Sequence, residues 1–237
     1  MFRDHYEETY ALRAAAYDRL VACEDEAGSL LPALEAVAPC RGARIVECGA
    51  GTGRLTRILA PHAAALRAFD ASPAMLEVAR PGLAPFPAVA LAVAGHGRLP
   101  VEDGWADLAL EGWAFGHAVA WHPADWPERT GQWVDELFRV LRPGGAAVLL
   151  ETLGTGTPSP GAPGEGLAAL YAHWEAMGFQ RRVLRTDFRF SSLEEARTLT
   201  RGFFRKDFDF EDRDGVVLPE WTGLWWKRKP AEGAPPA

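Results

Sequence analysis

Five short apolar runs, at 44–48, 66–70, 88–93, 107–111 and 146–151, alternate with segments that read as helices at 53–60, 73–80 and 125–141. Near-continuous apolar runs of this length suit strands buried on both faces, and parallel neighbours need a crossover between them. That order predicts an α/β fold with helices on both faces of a mostly parallel, doubly wound sheet. Ser72-Pro73 is a good helix start, with serine as cap and proline in the first turn. "LRPGG" (141–145) ends the long helix, and "AAVLL" follows as a buried strand.

The flanks are read by the same rules. Residues 1–23 form a helix with Tyr6, Tyr10, Arg13 and Tyr17 on one stripe, and 27–37 form a second. The run 152–166, rich in Gly, Pro, Ser and Thr, is a loop. Beyond it, 167–177 is helical, 181–190 is extended, and Ser192 to Glu195 make a capping box. "VVLPEWTGLWW" is a last strand, and "KRKPAEGAPPA" is a frayed tail whose basic cluster is solvated. The expected divisions are a helical cap at 1–39, a main domain at 40–229 and a flexible tail at 230–237.

Composition narrows the function classes. With 48% apolar and 24% charged residues the chain is ordinary globular material, and its net charge of −7 disfavours nucleic acid as a partner. Cys23, Cys40 and Cys48 have no metal-ligand spacing, so neither a zinc site nor a disulfide framework is expected. No signal peptide or membrane-spanning run is read from the sequence, and a cytoplasmic monomer or homodimer is the expectation.

The chemistry starts at "IVECGAGTGRLT" (45–56), where Gly49, Gly51 and Gly53 stand between a strand and a helix. Alternating glycines let backbone pass close to a ligand. A dinucleotide loop would place a third glycine where Arg54 stands, and Glu47 would repel a pyrophosphate, which disfavours a nicotinamide dehydrogenase. Glu47 could accept from a ligand ammonium, and Asp70, closing the next strand, from both hydroxyls of a ribose.

These residues resemble the class I S-adenosylmethionine-dependent methyltransferases over about 40–190. "VECGAGTG" resembles the family's first motif and "FDASPAMLEVAR" its second; "LPVEDGWADLALEGWAFGHAV", "ELFRVLRPGGAAVLLE" and "AMGFQRRVLR" resemble the later strands and helices. The resemblance implies a Rossmann-like, seven-stranded sheet with an antiparallel strand at its edge, an N-terminal helical lid, and S-adenosyl-L-methionine as cofactor. It also implies methyl transfer to a small molecule by direct displacement. A non-catalytic S-adenosylmethionine-binding or scaffold protein of the same fold is the alternative. Where relatives carry an adenine-binding aspartate, "AGHGRLP" offers Gly95 or His96.

The expected cofactor-binding set is Glu47, Gly49, Ala50, Gly51, Gly53, Asp70, Ala71, Met75, Gly95, His96, Glu111 and Gly112. Met75 is equally a core residue. His117 and Tyr17 are the catalytic candidates: His117 as a base with a pKa near working pH or as a packing residue, Tyr17 as the ring facing the methyl group. Of Trp105, Trp113, Trp121, Trp126 and Trp133, about two are assigned to a pocket that could attract a sulfonium or hold a flat substrate.

Overall fold

The computed structural model of the protein describes residues 4–233. Helices α1 (His5–Leu12), α2 (Ala14–Val21) and α3 (Leu30–Val37) precede an alternating run: β1 (Arg44–Cys48), α4 (Arg54–Leu59), β2 (Ala65–Asp70), α5 (Pro73–Leu83), β3 (Val89–Val93) and β4 (Ala106–Gly112). Then come α6 (His117–Trp121), α7 (Trp126–Val140), β5 (Leu141–Thr155), α8 (Glu165–Ala176) and β6 (Gln180–Arg185). The last elements are β7 (Phe188–Phe190), α9 (Leu193–Phe204), β8 (Glu211–Asp212), β9 (Val216–Leu218) and β10 (Glu220–Arg228).

Seven strands form one sheet in the order β3-β2-β1-β4-β5-β10-β6, and β7, β9 and β8 form a small second sheet. Successive side chains of a strand point to opposite faces. Thus Val46 and Cys48 of β1, with Ala147 and Leu149 of β5, enter a core that also holds Leu137 of α7 and Trp174 of α8. Ile45, Val148 and Leu150 enter the opposite core with Leu34 of α3 and Leu59 of α4. Burial on both faces accounts for the apolar runs of β1, β4 and β5, whereas β3, at the sheet edge, stays largely exposed. A third cluster joins Leu20 of α2 to Phe188, Leu199 and Leu218 beneath the small sheet.

Six expectations need correction. The antiparallel strand is not at the edge: β10 pairs antiparallel with both β5 and β6, leaving β6 outermost. The first helix is broken at Arg13 (φ −131°, ψ 25°), which turns α2 so that Tyr17 meets Tyr10, while Arg13 leaves the stripe and faces solvent. Residues 1–3 of that helix lie outside the described ones. The loop expected at 152–166 begins later, because Thr152 and Thr155 pair with Thr222 and Glu220 of β10.

The extended run 181–190 is two strands in two sheets, and "VVLPEWTGLWW" likewise divides around Pro219, which has no N–H to give a ladder. Finally, the basic end is not a solvated tail. Lys227 Nζ donates to the Met177 carbonyl at 2.7 Å, and Lys229 Nζ to those of Phe138 and Leu141, both at 2.7 Å. Arg228 donates to the Val37 carbonyl. Each cation sits at the end of a helix, where carbonyls lack intrahelical partners and the dipole is negative. Of the expected tail, residues 234–237 lie outside the described ones.

Candidate functional site

The loop after β1 is shaped by its glycines. Gly49, Gly51 and Gly53 have φ of +73°, +56° and +88°. A Cβ on Gly49 would lie 2.5 Å from that of Ala114, so the backbone there must stay bare. Asp70 fixes the loop to β2 by accepting the Gly51 N–H at 2.8 Å on one oxygen and the Ser72 N–H at 2.7 Å on the other. Ser72 caps α5, accepting the Met75 N–H.

A crevice of about 250 Å³ opens at the carboxyl ends of these strands. Gly49, Gly51, Asp70, Ala71, Met75, His96 and Gly112 line it, together with Trp113 and Trp121. Ligands in open α/β sheets sit at this edge. Glu47 and Ala50 line a smaller space of about 20 Å³ beside it, bounded also by Tyr17, Arg54 and Trp113. Burial pushes Glu47 up to about 7, and its carboxylate accepts the Thr56 hydroxyl at 2.6 Å. Glu47 thus faces a small space walled by the glycine loop and those three side chains.

Three further expected cofactor residues line neither the crevice nor the smaller space beside it. Gly53 opens α4 but faces α5: a Cβ on it would meet Ala79 at 3.3 Å. Gly95 is exposed, with no atom within 4 Å of its Cβ position. Glu111 is fully buried and accepts the N–H groups of Ala114 and Phe115 at 3.1 and 3.2 Å, so it caps the turn after β4. His96, by contrast, is held in place: its ring packs against Phe115 and Trp133, and Nδ1 lies 3.0 Å from Cys48 Sγ. Burial holds its pKa down to about 4, so it stands neutral on the crevice wall.

A second cavity of about 300 Å³ adjoins the first. The two share Tyr10, Tyr17, Trp113 and His117 as a common wall. Tyr10 Oη and His117 Nε2 are 2.9 Å apart, and the imidazole stacks on Trp121 at 4.5 Å, whose indole N–H donates to Asp4 at 2.7 Å. Burial lowers His117 to about 4, which corrects the expectation of a base titrating near neutrality. Burial raises Tyr17 to about 12, so it stays a phenol. Trp113 has the left-handed φ of +55°, unusual for a bulky residue, and carries the Arg54 guanidinium 3.2 Å above its ring.

Of the five tryptophans, Trp113 and Trp121 face the crevice; Trp105 lies under Arg67, Trp126 meets His173, and Trp133 backs His96. Sequence reasoning missed Glu24, Glu151 and Glu220, which all line the second cavity, as do Phe203 and Phe204. Glu151 was findable: like Glu47, Asp70 and Glu111, it is an acid at the carboxyl end of an apolar strand.

The crevice suits the cofactor expected from the sequence: bare backbone, an accessible carboxylate at Asp70, and a methionine wall at Met75. Comparisons with known proteins agree. A family model described as a methyltransferase domain matches residues 46–149. A malonyl-[acyl-carrier protein] O-methyltransferase of Methylococcus capsulatus is 31% identical over 211 residues, covering 82% of this chain and 69% of that protein. A demethylmenaquinone methyltransferase of Clavibacter sepedonicus is 35% identical over 141 residues; the match covers 58% of this chain and only 54% of the relative. A solved SAM-dependent methyltransferase from Aquifex aeolicus shares the fold, with TM-score 0.51, 14% identity, and coverage of 81% of this chain and 88% of that one. Strand order, glycine loop and relatives together place the chain in one family: it belongs to the class I S-adenosylmethionine-dependent methyltransferases.

Proposed function

We propose that the protein transfers a methyl group from S-adenosylmethionine to a small organic acceptor by direct displacement, with the cofactor in the crevice and the acceptor in the adjoining cavity. The observation that carries this reading is the shared wall: Tyr10, Tyr17, Trp113 and His117 face both spaces. The cofactor brings its own electrophile, a methyl group on a sulfonium. What remains for the protein is to align the acceptor and exclude water.

In this reading Asp70 takes the ribose hydroxyls, Met75 and His96 flank the adenine, and Glu47 takes the ammonium of the methionine end. Tyr17 bounds all three spaces and so stands where methionine end and acceptor meet. His117, neutral at working pH, holds the Tyr10 hydroxyl and shapes the wall. Residues 1–39 act as the cap over the site, since α1 and α2 supply Tyr10 and Tyr17. The relatives are named for different acceptors, a quinone precursor and a carrier-bound malonyl group, so the names leave the acceptor open. The net charge of −7 weighs against nucleic acid. Isothermal titration with S-adenosylhomocysteine, followed by mass spectrometry of an acceptor panel incubated with S-adenosylmethionine, tests the proposal. Saturable binding and a methylated product are expected; absence of binding overturns it.

A further inference from the structure

The second cavity contains more acid than it neutralises. Glu24, at the turn after α2, Glu151 on β5 and Glu220 at the start of β10 all line it, and each side chain is at most 5% exposed. Among the described residues lining it, Arg54 is the only guanidinium or ammonium group. That guanidinium is engaged, paired with one oxygen of Glu24 and stacked on Trp113.

The remaining oxygens are unequal. Glu220 Oε1 accepts the Thr152 hydroxyl at 2.8 Å, and Glu151 Oε2 accepts the Thr152 N–H at 3.2 Å. Glu24 Oε1 and Glu220 Oε2 are buried without a well-formed hydrogen bond among the described residues, with the hydroxyls of Thr186 beside Glu24 and of Thr155 beside Glu220 as their nearest donors. An unsatisfied buried acceptor costs about 1–3 kcal/mol, and more when charged. Two carboxylates so weakly satisfied on one cavity wall would gain from a donor that a ligand brings.

The rest of the wall tells what that donor is attached to. Tyr10, Tyr17 and Phe203 meet edge-to-face or tilted, with centroids 5.1–6.4 Å apart, and Phe204 extends the patch. Aromatic faces attract a cation and bury an apolar body.

We infer that the acceptor carries a protonated amine on an apolar body, its ammonium bound by Glu24 and Glu220 and its body held by the tyrosine and phenylalanine rings. This rests on the reading that the cavity takes the acceptor. An ammonium offers three N–H donors to the two open oxygens and adds the missing positive charge. A carboxylate or phosphate would meet four acids, Asp4 among them, and one occupied arginine. A neutral alcohol would supply a donor but no charge. Burial raises all three glutamates, Glu151 up to about 7, and an incoming cation restores their ionised form.

The test uses three probes of one shape: 2-phenylethylamine, 2-phenylethanol and 3-phenylpropionate. Each is titrated calorimetrically into the full chain saturated with S-adenosylhomocysteine. The amine is expected to bind at least about tenfold more tightly than the alcohol, and the acid not measurably. Glu220→Gln is expected to remove most of that preference while S-adenosylhomocysteine affinity holds. Equal binding of amine and alcohol, or preference for the acid, overturns the inference and leaves methyl transfer standing. Failure to bind S-adenosylhomocysteine overturns the methyltransferase reading, and the inference with it. Should Glu220→Gln not fold, the wild-type comparison of amine with alcohol decides alone.

Discussion

Replacing Glu151 by Gln should change the stability of the ligand-free protein in a pH-dependent way. The carboxyl is 5% exposed, and burial moves its pKa from 4.5 to about 7. Between those values the folded state binds more protons than the unfolded state, so this group lowers stability as pH rises through the window. The full ionisation cost above the folded pKa is about 3 kcal/mol, from about 2.5 pKa units at 1.36 kcal/mol each. Linkage puts about 1 kcal/mol of this at about pH 5.5 and about 3 kcal/mol at about pH 8, a difference of about 2 kcal/mol. Glutamine escapes that cost but carries a fixed penalty. The Gly116 and Thr152 N–H groups both point to the carboxylate, and an amide has one oxygen to offer them. That penalty, about 1–3 kcal/mol, does not titrate and cancels between the two conditions. Urea unfolding of both proteins at both pH values reads the difference directly. The stability of Glu151→Gln relative to wild type should rise by about 2 kcal/mol from the lower pH to the higher. A relative stability independent of pH, or falling, would refute the claim that this acid is buried and costly to ionise.

Asp70→Ala removes an acceptor for the Gly51 and Ser72 N–H groups as well as the proposed ribose contact, and Glu47→Ala the proposed contact to the methionine end. Each should weaken S-adenosylhomocysteine binding about tenfold or more in calorimetry, about 1.4 kcal/mol, and unchanged affinity in both would defeat the site assignment. Gly49→Ala puts a methyl 2.5 Å from the Ala114 Cβ at φ +73°, so denaturant unfolding should show a loss of about 2–4 kcal/mol from the clash and the left-handed backbone together. His117→Ala should keep cofactor affinity within about twofold. With its pKa lowered to about 4, His117 should contribute no ionisation between about pH 5 and 8 to the kcat/KM profile of the wild type; a limb there that the variant abolishes would make it a proton acceptor.

The parallel part of the sheet was legible because its central strands are mostly apolar and each parallel pair needs a crossover between its members. The cofactor loop was legible because the backbone needs glycine there, and glycine leaves a mark in sequence. The acceptor cavity was not. Glu24, Glu151 and Glu220 are distant in the chain and meet only when β10 inserts between β5 and β6. The basic end was misread for a similar reason: the partners of Lys227, Arg228 and Lys229 are backbone carbonyls at helix ends, which no residue type announces. His117 was placed at the right edge, but its proton affinity depends on enclosure by Tyr10 and Trp121, which spacing does not reveal.

The excursion from β6 through β7, α9, β8 and β9 to β10 leaves the seven-stranded sheet and rejoins it one position inward. It contributes Phe188, Phe203 and Phe204 to the acceptor cavity and nothing to the cofactor crevice. Under the proposed function, changes confined to this detour are expected to alter acceptor preference while cofactor affinity holds.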